Sequence, residues 1–235
     1  MLSLKIYKNT LLVAIVNTGS CRIKGANVRG DNAQIHKEEN PESGFFLNLR
    51  STTHPTRPGP FELKHFTLAG QCLVLLIEQA GVVFDGIAGI PLAGEPFANA
   101  IHGEFGPKAT EIELIRLEKV STNGERFIRF PEGFQTNATN VLIVNEVIDG
   151  AKLTMSAVDA FKNKNIHIAG VVTVVDRISG GCELLEKNGV KLISIFTANE
   201  VLQGILDAGR LDRELLGELL KQCEAKRQER LAAIS

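Results

Sequence analysis

The chain has 235 residues, 44% of them hydrophobic and 23% charged, with 22 Gly and 8 Pro, which is enough for one large or two small cored domains and excludes disorder, collagen and coiled coil. Twenty-six Lys and Arg stand against 27 Asp and Glu for a net charge of -1, so no chain-wide field exists to hold nucleic acid or an acidic membrane surface. No run approaches the roughly 18 to 20 apolar residues of a membrane helix, and the cysteines at 21, 72, 182 and 223 match neither zinc spacing nor a disulfide framework. The expectation is a cytoplasmic chain with reduced thiols and with neither nucleic acid nor membrane as a partner.

Lys5 and Lys8 precede the apolar run Leu11 to Val16, and Thr18 to Cys21 follow, an order that mimics a signal peptide. Six apolar residues fall short of a signal core, so the run reads as a first strand or helix packed on the domain. The first eighty residues read as an irregular cover, with turn-rich stretches at Gly25 to Asn32 and His54 to Pro60. Leu68 to Ala80 has helical spacing and stops at Gly81.

Short apolar runs then recur: Val82 to Phe84 with Ile87 to Ile90, Ile112 to Leu117, Val141 to Val144, Ile168 to Val175, and Val190 to Phe196. Runs without polar alternation fit strands buried on both faces. Helical segments lie between them at Glu95 to Phe105, Leu153 to Asn163, Cys182 to Asn188 and Ala198 to Leu206. The alternation predicts an α/β fold, a parallel sheet with helices on both faces. Glu118 to Asn140 lacks periodicity and is long for a connection, as functional lids are. From Leu211 the pattern is an amphipathic helix running into solvent, its charged run Glu224 to Arg230 read as a solvated face. Residues 1-66 are expected to form an N-terminal cover, 67-206 the α/β core and 207-235 the C-terminal helix.

Ligands of open parallel sheets bind at the carboxyl ends of the strands. Four places qualify here. Pro91 to Ala98 is a small-residue turn opening a helix, whose unpaired N-H groups can face an anion or simply form a strand-to-helix turn. Asn145-Glu146-Val147-Ile148-Asp149-Gly150-Ala151-Lys152 sets acids and a small-residue loop at a strand end, where they suit a sugar or a metal-bound diphosphate. Asp176-Arg177-Ile178-Ser179-Gly180-Gly181 places an Arg fork where it can bind a carboxylate or phosphate, or pair with Asp176. Arg116-Leu117-Glu118-Lys119 stands at the mouth of the long loop.

Taken in order over roughly residues 32 to 206, these blocks resemble the orotate phosphoribosyltransferases, a type I phosphoribosyltransferase family. Ser43 to Arg50 is similar to the family's hood strand, Phe84 to Ala98 to its diphosphate-loop block, and Ile115 to Lys119 to the start of its lid. Val141 to Glu146 stands where the phosphoribosyl diphosphate motif belongs. Gly170 to Gly181, followed by Gly189 to Thr197, is the most specific match.

The resemblance implies a five-stranded parallel sheet with an N-terminal hood, and a homodimer whose lids reach into neighbouring sites. It also implies transfer of phosphoribosyl from phosphoribosyl diphosphate to orotate in pyrimidine nucleotide metabolism, with Mg2+ on the leaving diphosphate and no residue of the chain assigned to the metal. On the same resemblance Arg116 and Lys119 are catalytic cations, and Leu92, Ala93 and Gly94 face the diphosphate. Asn145, Glu146, Asp149, Gly150, Ala151 and Lys152 hold phosphoribosyl diphosphate, while Lys37, Phe46 and Arg177 border the pyrimidine. The chain departs from the family where two adjacent acids become Asn145-Glu146, where the hydroxyl-rich phosphate loop becomes Asp149 to Leu153, and where lid cations are replaced by Leu117, Val120 and Thr122. Two readings follow: an enzyme of this type, or a non-catalytic relative that serves as a pyrimidine or nucleotide sensor or an assembly protein.

Overall fold

The computed structural model describes residues 2-23 and 44-234. Lys37, Ser43 and the Gly25 to Asn32 stretch lie outside the described residues. The N-terminal segment is more regular than its composition implied. Leu2–Asn17 forms a helix, α1, in which Leu11, Ile15 and Val16 are buried. Leu11 and Ile15 are four apart and therefore share a face, and Leu2, Leu4 and Ile6 extend the helix well beyond the six-residue run. Two short antiparallel strands follow, β1 (Cys21–Ile23) and β2 (Phe45–Leu47), with Cys21 opposite Leu47 and Ile23 opposite Phe45. Next comes α2 (Leu63–Gln79).

The core then alternates as expected: β3 (Gly86–Gly89), α3 (Glu95–Glu104), β4 (Glu113–Ile115), the hairpin β5 (Glu118–Thr122) and β6 (Glu125–Arg129), β7 (Asn140–Ile148), α4 (Lys152–Lys162), β8 (His167–Asp176), α5 (Gly181–Lys187), β9 (Leu192–Thr197) and α6 (Ala198–Asp207). The last helix, α7, spans Arg213–Ile234. The five-stranded sheet is ordered β4-β3-β7-β8-β9 and all its pairings are parallel. Sequence order reverses between β3 and β7, which is where such sheets open their ligand crevice.

Alternate residues of β7 serve opposite faces. Leu142 and Val144 join one apolar cluster with residues of α1, α2, α3, α6 and α7. Val141 and Ile143 join a second with Ala157, Val158 and Phe161 of α4 and Leu185 of α5. Both sides are dry, which is why the central strands read as uninterrupted apolar runs. Among the described residues no helix is long and apolar enough to cross a membrane, and all four cysteines are free thiols.

Two expectations change. The stretch read as an aperiodic lid contains the hairpin β5–β6, turned by Asn123 (φ 52°) and Gly124 (φ 84°). That pair supplies the two positive φ angles a two-residue turn requires. The hairpin is fastened to α4 by a 2.8 Å bond from the Ile128 amide to Ser156 Oγ. The C-terminal helix does not run free into solvent. Leu219 and Cys223 are buried in the core, and Arg227 and Arg230 of the charged run pair with Glu183 and Asp149.

Candidate functional site

The carboxyl ends of β3 and β7 define the crevice. After β3 the chain turns through Ile90 to Gly94 into α3, and the Ile90 amide donates to the Val144 carbonyl at 2.8 Å. A Cβ on Gly94 would stand 2.3 Å from that same carbonyl oxygen, and one on Gly89 would stand 2.5 Å from Glu95 Cα. The turn therefore lies against β7 only because both positions are bare. It leaves Leu92 exposed and Ala93 half-buried at the cleft edge.

Glu146, near the end of β7, is the electrostatic centre. Its side chain is 9% exposed and meets Arg50 Nη2 at 3.2 Å. Glu146 Oε2 and Arg50 Nη1 are both buried without a hydrogen-bond partner. Burial pushes the Glu146 carboxyl up to about 7 against the opposing pull of Arg50 and Lys119. Burial, reinforced by Arg126 and Arg50 and opposed by Glu146, holds the Lys119 ammonium below its usual range. The His54 imidazole is likewise lowered by burial, then by Arg50 and Lys119. Arg50 and Lys119 thus set positive charge against one buried carboxyl, with Arg126 close to Lys119, while the same two cations disfavour protonation of His54. Glu95, at the head of α3, is raised by burial and drawn down by Arg116 and Lys119. Phe46 stands beside this group, 6.0 Å from the Arg50 guanidinium carbon to its ring centre.

The remaining candidates are committed elsewhere. Asn145 donates to Thr154 Oγ1 at 3.0 Å and accepts from the Glu146 amide at 2.8 Å, tying β7 to α4. Arg177 is buried; it donates to the Phe45 carbonyl at 3.2 Å, packs over the Phe45 ring at 4.3 Å and lies 3.8 Å from Asp149. Asp149 accepts from Ser179 Oγ at 2.5 Å and from Arg230 Nη1 at 2.7 Å. Burial pushes its carboxyl up, but the bonds from Arg230 and Ser179 and the Arg177 charge outweigh burial and leave it below its ordinary value. Its charge is already matched within the protein. Gly150 lies against Arg230. Exposed Lys152 opens α4 and lines a separate groove of about 630 Å³ between β6, α4 and α5, away from Glu146.

Two non-glycine residues next to the crevice hold left-handed backbones: Ala151 (φ 55°) after β7 and Ile178 (φ 55°) after β8. Such residues cost about 1 to 3 kcal/mol each and gather at functional sites. Sequence reasoning singled out neither Arg50, His54 nor Glu95. Arg50 closes the hood block already quoted and Glu95 opens α3, so spacing from the strand ends was the available signal for both; His54 had none beyond a turn.

No family model matches the chain. The chain is 26% identical over 161 residues to the orotate phosphoribosyltransferase of Leptospira biflexa, covering 68% of this chain and 82% of that protein. The orotate phosphoribosyltransferase of Aquifex aeolicus is 26% identical over 160 residues, with the same coverage. In structure, a UMP synthase of Leishmania donovani superposes over 94% of this chain and 42% of its own, with TM-score 0.63 at 18% identity. The Mycobacterium tuberculosis orotate phosphoribosyltransferase in complex with inorganic phosphate covers 83% of this chain and 90% of its own, with TM-score 0.56 at 20% identity. The parallel sheet with its order reversal beside Glu146, these sequence similarities and these superpositions agree: the chain is a divergent relative of the orotate phosphoribosyltransferases, built on the type I phosphoribosyltransferase fold.

Proposed function

We propose that this protein belongs to pyrimidine nucleotide metabolism and binds phosphoribosyl diphosphate in the crevice between β3 and β7, as an orotate phosphoribosyltransferase-like protein. The observation that carries the reading is the Glu146–Arg50 pair, whose two buried polar atoms lack partners at the sheet's order reversal. A ribose hydroxyl supplies both missing bonds, donating to Glu146 Oε2 and accepting from Arg50 Nη1. Arg116 and Lys119 then lie on the diphosphate side, and loop 149-153 lies toward the 5′-phosphate.

Mg2+ would enter with the diphosphate. Glu146 offers one hard oxygen donor, but Arg50 and Lys119 beside it disfavour a cage made by the protein alone, so the fit is to an ion held mainly by diphosphate oxygens and water. Such an ion neutralises charge on the leaving group. The chain's own residues do the rest: Glu146 and Arg50 orient the ribose, and Lys119 adds fixed positive charge where the diphosphate departs. In transfer, the bond from ribose C1 to the diphosphate oxygen breaks, the pyrimidine ring nitrogen bonds to C1, and its proton is lost to solvent.

Specific observations favour the non-catalytic reading as the second one. Arg177 bonds the Phe45 carbonyl, and Asp149 accepts from Ser179 and Arg230, so both side chains are engaged within the protein in this conformation. On either reading the chain acts in the cytoplasm, and a homodimer is expected. Calorimetric titration with phosphoribosyl diphosphate and Mg2+, paired with ultraviolet loss of orotate, tests both. Binding that is lost in Glu146→Ala supports the site, turnover decides between enzyme and sensor, and absence of binding refutes the reading.

A further inference from the structure

The charged end of α7 reaches the sheet at one place. Arg227 Nε donates to Glu183 Oε1. Arg230 Nη1 donates to Asp149 Oδ1 and to the Ser179 carbonyl, both at 2.7 Å. Two glycines admit the side chain: a Cβ on Gly150 would stand 2.9 Å from Arg230 Cζ, and one on Gly180 would stand 3.0 Å from Arg230 Cβ. Upstream, Leu219 and Gln222 press on Gly44 so closely that a Cβ there would meet Leu219 Cδ2 at 2.6 Å. The helix is therefore anchored in the core at its middle and held at its end by two ion pairs.

Arg177, Arg227 and Arg230 are met by Asp149, Glu183 and Glu224, with Asp176 and Glu186 close by, so a further anion meets no surplus positive charge. We propose that α7 is a latch on the loop after β7. Arg230 fills the space over Gly150 that a ligand phosphate requires, so phosphate entry and docking of the helix end exclude one another. The proposal rests on the reading of loop 149-153 as the phosphate end of the cleft. Its consequence is a specificity filter: a ligand without a phosphate at this end enters freely, whereas a phosphorylated one binds only the fraction of molecules in which the helix end has lifted.

The test compares full chains carrying Asp149→Asn alone and Asp149→Asn with Arg230→Ala, so that carboxylate repulsion is absent from both. Ribose 5-phosphate is titrated into each by calorimetry, and thermal unfolding confirms that both are folded. At least tenfold tighter binding by the double variant is expected. Equal affinities overturn the latch, as does absence of binding to both. Weaker binding by the double variant also overturns it, because Arg230 would then be a ligand of the phosphate. Amide exchange over residues 226-234 of the wild type supplies a second measurement: it is expected to accelerate when ribose 5-phosphate is added, since linkage is reciprocal, and unchanged or slower exchange overturns the proposal. Glu146→Ala separates the two levels. If it abolishes phosphoribosyl diphosphate binding while Arg230→Ala changes nothing, the latch fails and the functional reading stands; if phosphoribosyl diphosphate binds none of these proteins, the functional reading fails.

Discussion

Replacing Glu146 with Gln turns the buried carboxyl into a neutral isostere, and the consequence for stability is pH-dependent in a direction the structure dictates. The folded carboxyl titrates at about 7 against an ordinary value of 4.5, because burial outweighs the pull of Arg50 and Lys119. A raised folded value means that the native state holds the proton more tightly than the unfolded chain does. The stabilising contribution is thus present below pH 4.5 and is lost as pH rises toward 7. At 1.36 kcal/mol per unit, the wild type loses about 3 kcal/mol between pH 4.5 and pH 8 that the Gln variant keeps. Urea unfolding of both proteins across that range isolates the effect, since every other titrating group is common to the two. The difference in unfolding free energy should shift by about 3 kcal/mol in favour of Gln. A difference independent of pH would show that Arg50 and Lys119 fully offset burial, and one that moves toward the wild type as pH rises would show that they outweigh it; either refutes the reasoning.

Gly94→Ala places a methyl 2.3 Å from the Val144 carbonyl and should cost about 2 to 4 kcal/mol, read from chemical unfolding, because backbone on both sides blocks relief. Ala151→Gly should stabilise by about 1 kcal/mol, since glycine adopts the left-handed backbone without a Cβ penalty; loss of stability would show that the methyl's packing matters more. Arg177→Met should destabilise by about 1 to 3 kcal/mol by removing the donor to the Phe45 carbonyl and one of the cations beside Asp149, and a fully stable variant would refute the anchoring role. Ser156→Ala removes the acceptor of the Ile128 amide, which should speed amide exchange in β5–β6 while lowering global stability by about 1 kcal/mol.

The order of strands and helices was legible because the central sheet is dry on both sides, and parallel strands in that setting carry unbroken Val, Ile and Leu. Val141 to Val144 and Ile168 to Val175 could hardly be anything else. Chain position also led to Glu146, since ligands collect at strand ends. What failed was partnership at a distance. Nothing near Arg230 announces that Asp149, 81 positions earlier, takes its guanidinium, so a docked helix end looked like a solvated face. The bond from Arg177 to the Phe45 carbonyl spans 132 positions and was equally invisible. The hairpin was a different kind of miss, because Asn123-Gly124 is a local turn signal that the surrounding lack of periodicity concealed.

The N-terminal helix is stitched to the far end of the fold. Lys8 pairs with Glu200 across 192 positions, and Arg210 bonds the Val16 carbonyl across 194 and Asn17 Oδ1 across 193. Leu12 packs on Gly204, where a Cβ would stand 3.1 Å from its side chain. Contacts of such range close loops nearly as long as the chain, and their entropic cost falls due before they return any energy. Docking of α1 on α6 therefore belongs late in folding. Once made, it ties α1 to α6, so loss of either helix exposes the other and a single cooperative transition is favoured over peeling.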